Sequence, residues 1–307
     1  MKTRWPAVPD SRLTVATATS ASVVGAVIAT TAFVVVPAPL AGRILLVAPL
    51  LVVPALLRLP GPAIPRLEPI AQLAGWPTLL AALPLIVAFS VAAGPLALVL
   101  ALPWLALATL VGLAAFADAL PRLRYLRQRD TLDALIVDGA LGFLAVGALF
   151  LALDRIGVAA LGFAPEIILL TAVHFHFAGF ALLLIGATLA RRLGSTLLTI
   201  AAINLAVGMP VTATAFLLDS DLLNAIGAVL VVAGALGAAL GLLRLRQVPL
   251  LVAGLLLLIG VPFGLAWAVV PLLGTPSLDF EAMIRIHGGL NSGGVLLAAL
   301  FLPGVRP

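Results

Sequence analysis

Long apolar runs separated by short charged clusters constrain the fold of this chain more than any other feature. The runs are roughly 17 to 25 residues long, the length of a helix that crosses a hydrocarbon core of about 30 Å. Of the 307 residues, 63% are hydrophobic and 9% are charged, against about 25% charged in a soluble domain. The pattern predicts an all-α polytopic transmembrane helical bundle, organised as a single integral membrane domain over residues 1–307.

Ten apolar segments are candidate membrane spans. The first has a basic start like a signal peptide, but its apolar run is too long and lacks a clear small-x-small cleavage site, so we interpret it as a retained span. Four spans occupy residues 1–118, a basic loop follows at 119–131, and six spans occupy residues 132–307. The predicted spans are 15–37, 41–57, 70–89, 95–117, 132–153, 166–190, 197–218, 222–243, 249–273 and 283–302.

The distribution of basic residues predicts the orientation of these spans. With a cytoplasmic N-terminus, 14 of the 17 Lys and Arg residues fall in inside segments, and only Arg43, Arg155 and Arg285 fall outside. The positive-inside rule therefore favours ten spans with both termini in the cytoplasm. The basic segment 119–131 is then cytoplasmic, and we interpret it as a topology anchor rather than a site for anionic lipid head groups.

The residue types exclude several function classes. The chain has no cysteine, which excludes disulfides, cysteine-ligated zinc, iron–sulfur clusters and thiol catalysis. The net charge of +5 comes from arginines at span ends rather than from a basic stripe with interleaved aromatics, so nucleic acid is not an expected partner. The Ala-, Leu-, Gly- and Pro-rich composition suggests a GC-rich bacterial genome, and we expect the protein in the bacterial plasma membrane.

Two histidines lie well inside the apolar run 166–191. Ionisable residues at membrane depth are costly and rare, so His174 and His176 are candidates for a functional site. Positions i and i+2 lie about 200° apart on a helix, so at most one of the two is expected to face a given cavity. The spacing also argues against a His-x-His metal clamp, because clamps on regular helices use spacings of three or four.

The last predicted span carries a second polar group. His287 and Asn291 are four residues apart and share one helix face, as Glu281 and Arg285 do near the start of the span. Elsewhere, Asp138 is a lone carboxylate in an apolar span and needs a hydrogen-bond donor. We predict catalytic roles for His174, His176, His287, Asn291, Arg285, Glu166 and Asp138, and substrate-binding roles for Asn204, Thr212, Thr214 and Phe177.

Two polar runs, HFHFAGF at 174–180 and IRIHGGLN at 284–291, resemble the YndJ-like family of bacterial multi-pass membrane proteins. The resemblance centres on residues 130–302, whereas the first four spans resemble the family only in being hydrophobic. It implies a shared polar site but no particular reaction, so it adds no catalytic assignment. It makes the three histidines and Asn291 the first residues to test.

These features favour a membrane-embedded enzyme that applies acid–base catalysis to a lipid-soluble substrate, by isomerisation, cyclisation or epoxide opening. His174 or His287 would be the acid or base, because histidine titrates near neutral pH. Asn291 and Arg285 would stabilise a developing oxyanion, and one of the acidic candidates would be the partner carboxylate. No cofactor is expected, and the expected partners are membrane lipid and a hydrophobic small-molecule substrate.

Three other function classes remain open at the level of sequence. His174 and His287 are also suited to be axial ligands of a haem, or ligands of a metal ion. A transporter or channel is less favoured, because few ionisable residues lie at membrane depth and no strong internal repeat is visible. In a structural subunit, the same polar residues would only form hydrogen bonds between helices.

Overall fold

The computed structural model describes residues 12–59, 68–126, 128–275 and 279–305. Within these residues every element of regular secondary structure is a helix. Helices are the expected solution for such an apolar chain, because in lipid each backbone N–H and C=O has to be bonded within its own segment. The predicted all-α fold is confirmed for the described part of the chain.

Helices of membrane-spanning length follow the predicted pattern. In the described residues, seven are long and apolar enough to cross a membrane: Pro95–Tyr125, Asp130–Ile156, Pro165–Arg192, Thr196–Leu217, Asp221–Arg244, Val248–Val269 and Phe280–Gly304. The apolar helical segment Ser20–Val35 and the shorter helices Leu40–Leu56 and Trp76–Ser90 coincide with the first three predicted spans. The protein therefore has the helices expected of a multi-pass membrane protein.

The N-terminal part is the more interrupted half of the chain. Pro49 lies in a π-helical segment and Pro84 begins a new helix, as expected of a residue that removes a backbone donor. The elements are α1 (Arg12–Val35), α2 (Leu40–Val47), π1 (Ala48–Val52), α3 (Val53–Leu56), α4 (Glu68–Leu73), α5 (Trp76–Ala82), α6 (Pro84–Ser90) and α7 (Pro95–Arg122).

The C-terminal part contains longer helices, two of which change to a π-helix along their length. One continuous rod is formed by α9, π2 and α10, and another by α14, π3 and α15. The elements are α8 (Arg129–Ile156), α9 (Pro165–His174), π2 (Phe175–Leu182), α10 (Leu183–Arg192), α11 (Thr196–Leu217), α12 (Asp221–Arg244), α13 (Val248–Val269), α14 (Phe280–Met283), π3 (Ile284–Gly288) and α15 (Gly289–Phe301).

The segment 119–131 is not the loop that the sequence predicted. Helix α7 continues to Arg122, a 3₁₀ turn covers Leu123–Tyr125, and α8 begins at Arg129. The predicted loop is thus mostly the end of one helix and the start of the next. Arginine is a good helix former, so a basic composition alone does not end a helix.

Close packing of helices depends on small residues. A Cβ atom added to Gly234 of α12 would lie 2.5 Å from Leu205 Cβ and 2.7 Å from the carbonyl oxygen of Ala201, both on α11. Glycine at this position lets the two backbones approach, which is how membrane helices gain van der Waals contact. The resulting bundle also buries Trp104 and Phe180 completely.

Candidate functional site

A cavity of about 230 Å³ lies among α2, α9, π2, α11, α12, α13 and the last helical rod. Its lining is mostly apolar, and among the described residues that line it the only ionisable side chains are two histidines. An apolar pocket with a few convergent polar groups is the usual form of a small-molecule site. The polar lining residues are Thr171, His174, Thr212, Asn224, His287, Asn291 and Ser292.

His174 is the last residue of α9, directly before the wider turns of π2. Its Nδ1 lies 2.8 Å from the carbonyl oxygen of Leu170. A carbonyl oxygen only accepts, so Nδ1 carries the proton and the neutral ring keeps its lone pair on Nε2. Because the side chain is exposed and lines the cavity, this lone pair is accessible to a bound molecule.

His287 lies within π3, and two neighbours meet the same nitrogen of its ring. The carbonyl oxygen of Gly260 is 3.1 Å from Nδ1, and the Asn291 side-chain amide nitrogen is 3.0 Å from it. The ring therefore has two hydrogen-bonded arrangements. Either Nδ1–H donates to Gly260 and Nε2 is a bare acceptor, or Nδ1 accepts from Asn291 and Nε2 carries the proton.

The two cavity histidines lie next to each other. The centroids of the His174 and His287 rings are 6.3 Å apart, and the ring planes are inclined by 26°. The pair joins helices that are more than 100 positions apart in sequence. Asn291 Oδ1 and Thr212 Oγ1, which also belong to the lining, are buried and have no hydrogen-bond partner within the described residues. Unpaired buried polar atoms are costly, so a bound molecule that pairs with them is favoured.

Helix α13 presents a flat surface to His287. A Cβ atom on Gly264 would lie 2.4 Å from the Cε1 atom of the His287 ring, and one on Gly260 would lie 2.6 Å from Asn291 Oδ1. The two glycines are four residues apart, as His287 and Asn291 are, so each glycine accommodates one polar side chain. The glycines of α13 therefore determine where the His287 ring can lie.

His176 has a different environment from its neighbour two residues before. Its side chain is fully buried and is absent from the cavity lining. Nδ1 lies 2.8 Å from the carbonyl oxygen of Ala172, and Nε2 accepts from the indole N–H of Trp104 at 3.1 Å. Both ring nitrogens are satisfied by the protein. The angular argument from the sequence is correct here, because only one of the two histidines faces the cavity.

The structure brings five of the eleven predicted site residues to the cavity: His174, His287, Asn291, Thr212 and Phe177. The other six are outside its lining: His176, Arg285, Glu166, Asp138, Asn204 and Thr214. Six of the eleven lie outside the lining because residues at similar positions along their helices still point in different directions around each helix axis.

Four of the six outlying residues lie near or on the surface. Arg285 and Glu166 are exposed, Asn204 is half-buried on α11, and Thr214 is exposed in a separate shallow groove. Arg285 cannot reach an oxyanion in the cavity from there, and Glu166 is not placed to be the partner carboxylate. The predicted roles of these residues in a common centre are not supported by their positions.

Asp138 belongs to a cluster of ion pairs between α7 and α8. Arg122 Nη1 donates to Asp138 Oδ2 at 2.6 Å, and Arg122 also forms an ion pair with Asp118. Both carboxylates are buried. Arg122 is therefore the hydrogen-bond donor that the buried carboxylate of Asp138 needs. The position of Asp138 indicates a structural role at the junction of two helices.

Several lining residues were not predicted from the sequence. Asn224, near the start of α12, and Thr171, one turn before His174, both contribute polar atoms. Thr171 Oγ1 donates to the carbonyl oxygen of Ile167 at 2.7 Å. Asn224 was recognisable as a polar residue near the start of a predicted span. Trp267 was not recognisable as a site residue, because tryptophan is common near the ends of membrane helices. Ser292 was not recognisable either, because it lies in a glycine-rich run.

Comparison with known proteins gives one match. The sequence model of the YndJ-like protein family matches residues 43–295. The match includes both histidine-containing runs and begins in α2, so the relationship extends further towards the N-terminus than residues 130–302. No curated protein and no solved structure matches the chain significantly. Since the family model covers most of the sequence, the chain belongs to the YndJ-like protein family.

Proposed function

We propose that this protein is a membrane-embedded enzyme that carries out proton-transfer chemistry on a lipid-soluble substrate bound between His174 and His287. The observation that carries the proposal is the pairing of two imidazole rings, 6.3 Å apart, in an otherwise apolar cavity. Histidine is the most frequent general acid–base residue. The absence of other ionisable groups from the described lining favours an uncharged substrate, because a charged one would have no counter-ion there.

The two histidines have different roles in this proposal. His174 is the base, because its Nδ1–H donates to Leu170 and its Nε2 lone pair is available. His287 is the hydrogen-bond donor in the arrangement in which Nδ1 accepts from Asn291 and Nε2 carries the proton. A neutral imidazole N–H that meets a developing oxyanion stabilises it without a change of charge on the ring.

Isomerisation next to a carbonyl group illustrates the chemistry. In a β,γ-unsaturated carbonyl compound, His174 Nε2 takes a proton from the α carbon, and the electron pair of the C–H bond moves into a dienolate whose oxygen accepts a hydrogen bond from His287 Nε2–H. His174 then returns the proton to the γ carbon, which moves the double bond into conjugation, restores the enzyme and leaves the mass of the substrate unchanged. In cyclisation or epoxide opening, the same base takes the proton of the attacking hydroxyl, and that proton ends on the epoxide oxygen.

The test uses membranes that contain the wild-type protein or single variants. The membranes are incubated with a lipid extract of the source organism, and the extract is compared by liquid chromatography and mass spectrometry. We expect a product of unchanged mass, or of the substrate plus water, and about a 100-fold lower yield for His174→Gln and His287→Gln. Thr214→Ala is the control, because Thr214 is a polar residue outside the cavity. Product formation that survives both histidine substitutions would refute the proposal.

A second candidate function is supported by the same pair of rings. Metal-ligating histidines usually donate their other ring N–H to a backbone carbonyl or a carboxylate, and both His174 and His287 have a carbonyl oxygen next to Nδ1. However, no group of three or more His, Cys, Asp or Glu residues in the described part of the chain is placed to hold a metal ion. An optical spectrum and elemental analysis of the purified protein decide between the two candidates, since a Soret band or a stoichiometric metal would favour the second.

We further propose the setting in which this chemistry takes place. The protein crosses the bacterial plasma membrane ten times with both termini in the cytoplasm, and the apolar helical segments Ser20–Val35, Leu40–Leu56 and Trp76–Ser90 are the first three spans. The charge bias of 14 basic residues inside against three outside supports this topology. The cavity then lies in the half of the bundle that faces away from the cytoplasm.

A further inference from the structure

The cavity is long and narrow, and its axis follows the helices. On α12 the lining extends from Asn224 to Ala235, and on the neighbouring α13 from Leu257 to Ala268. Each interval is 11 residues, which corresponds to about 16 Å at 1.5 Å per residue. A volume of about 230 Å³ spread over that length leaves a slot rather than a chamber.

The volume also limits the size of an occupant. A cavity needs about 10 to 15 Å³ of this measure for each water-sized group. The slot therefore has room for about 15 to 23 non-hydrogen atoms. One alkyl or isoprenoid chain with a small polar group has this size, whereas a phospholipid with two chains does not.

Polarity changes along the slot. At one end lie Asn224 and the aromatic pair Trp267 and Phe280, whose ring centroids are 6.1 Å apart. The two histidines lie in the middle, with Thr212 nearby in the lining. The other end is formed by four apolar side chains: Leu182, Ala235, Leu257 and Val295. The slot thus offers most of its polar partners in one half and mainly apolar contact in the other, where the hydroxyl of Ser292 already donates to the carbonyl oxygen of Gly289 at 3.2 Å.

We infer that the ligand is an uncharged single-chain amphiphile, with its polar group between His174 and His287 and its chain directed towards Ala235 and Leu257. The inference rests on the proposed function for the position of the polar group. The chemistry that the slot recognises is a neutral oxygen function, such as an alcohol, ketone, aldehyde or epoxide. A carboxylate or phosphate would have no basic partner among the described lining residues, and burying an unpaired charge is costly.

The test measures how chain length affects binding, in nanodiscs made of a two-chain phosphatidylcholine. An alcohol of comparable length with a photoreactive diazirine at its end labels the protein, and unlabelled primary alcohols of graded chain length compete with it. We expect competition to improve with length up to about 6 to 8 carbons and then to stop improving, because only about 8 Å of the slot lies beyond the histidines. The fatty acid of the best length is expected to compete about tenfold less well than the alcohol.

Two substitutions at the apolar end change the length of the slot in opposite directions. Ala235→Leu fills the end, and we expect the preferred alcohol to be about three carbons shorter. Leu257→Ala opens the end, and we expect a preference for chains about three carbons longer. The control is Leu250→Ala, because Leu250 is a fully buried leucine of the same helix that does not line the cavity. If Ala235→Leu does not fold, Ala235→Val and Leu257→Ala carry the comparison.

The outcomes separate this inference from the proposed function. Competition that is independent of chain length, or that is unchanged in both end variants, would overturn the inference, as would equal competition by added phosphatidylcholine. Variants with His174→Gln or His287→Gln are expected to bind the alcohols about threefold to tenfold more weakly but to keep the wild-type chain-length preference, because the apolar contacts remain. A shift of the preferred length without histidine-dependent product formation would refute the proposed function and leave the ligand class standing. Histidine-dependent product formation without any shift of the preferred chain length would refute the inferred ligand class and leave the proposed function standing.

Discussion

At the scale of single residues, the protein determines what each histidine can do through the partner of its Nδ1 atom. His174 has one such partner, the carbonyl oxygen of Leu170, whereas His287 has two, Gly260 and Asn291. His176 has partners on both nitrogens and no access to the cavity. The three histidines are thus a ring with one hydrogen-bonded tautomer, a ring with two possible tautomers and a structural contact.

Gly264→Ala is predicted to displace the His287 ring. The added Cβ would lie 2.4 Å from the ring, so the ring or α13 has to move. We expect a loss of about 1 to 3 kcal/mol in the free energy of unfolding and a loss of product formation similar to that of His287→Gln. Equilibrium unfolding in mixed micelles measures the first effect.

Gly289→Ala is the matched control for Gly264→Ala. Gly289 follows His287 by two residues, and a Cβ atom there would meet no other atom within 4 Å. In a helix, alanine is favoured over glycine by up to about 1 kcal/mol, so this variant is expected to be as stable as the wild type or slightly more stable. Equal destabilisation by both substitutions would contradict the proposed contact between Gly264 and His287.

The Arg122 guanidinium is predicted to be essential for the junction of α7 and α8. Arg122→Ala would leave the buried carboxylates of Asp118 and Asp138 without their shared cation, and breaking a buried ion pair on one side costs about 3 to 5 kcal/mol. Arg124→Ala is the control, because Arg124 is exposed on the same segment, and we expect a change within about 0.5 kcal/mol. Similar free energies of unfolding for the two variants would show that the ion cluster does not contribute to the stability of the folded protein.

The sequence contained part of the information about these residues. His174, His287 and Asn291 were recognisable because polar groups at membrane depth are rare and because positions four apart share a helix face. The role of His176 was not recognisable, since its partner Trp104 is 72 positions away. The same holds for Asp138, whose donor Arg122 was assigned to a loop until the structure placed it within α7.

At the scale of the elements, the π-helical segments are the main feature that the sequence did not indicate. His174 immediately precedes π2 and His287 lies inside π3, so both cavity histidines occur where the helix widens. Such bulges often occur at functional sites, because they change the direction of side chains relative to a regular helix. Apolar periodicity cannot reveal them, since a run that is hydrophobic on all sides fits either helix type.

At the scale of the whole molecule, helix positions followed from hydropathy, while the number of crossings is still a prediction. Ten apolar helical segments match the ten predicted spans, but Leu40–Leu56 and Trp76–Ser90 are shorter than the seven long helices. Length decides whether a helix crosses a bilayer, because about 20 residues are needed. The connection between these two shorter helices includes residues 60–67, which lie outside the described residues.

Single cysteines introduced between helices test the ten-span topology. The chain has no native cysteine, so each introduced thiol is the only one in the protein. In intact cells, a membrane-impermeant maleimide is expected to label Ala92→Cys, Val158→Cys and Thr275→Cys. Gln128→Cys and Gln247→Cys are expected to react only after lysis; all five positions are exposed. A reversed pattern for Ala92 alone would show that Pro95–Tyr125 does not cross, because this helix lies between Ala92 and Gln128.

The pairing of His174 with His287 is tested most directly by solid-state NMR of the protein in lipid, with only histidine isotopically labelled. The chain has three histidines, so the ring signals can be assigned from three single substitutions. The account predicts a through-space correlation between the rings of His174 and His287, and a His176 ring that is protonated on Nδ1 and hydrogen-bonded at Nε2. A spectrum in which His287 shows no correlation with His174, or correlates with His176 instead, would contradict it.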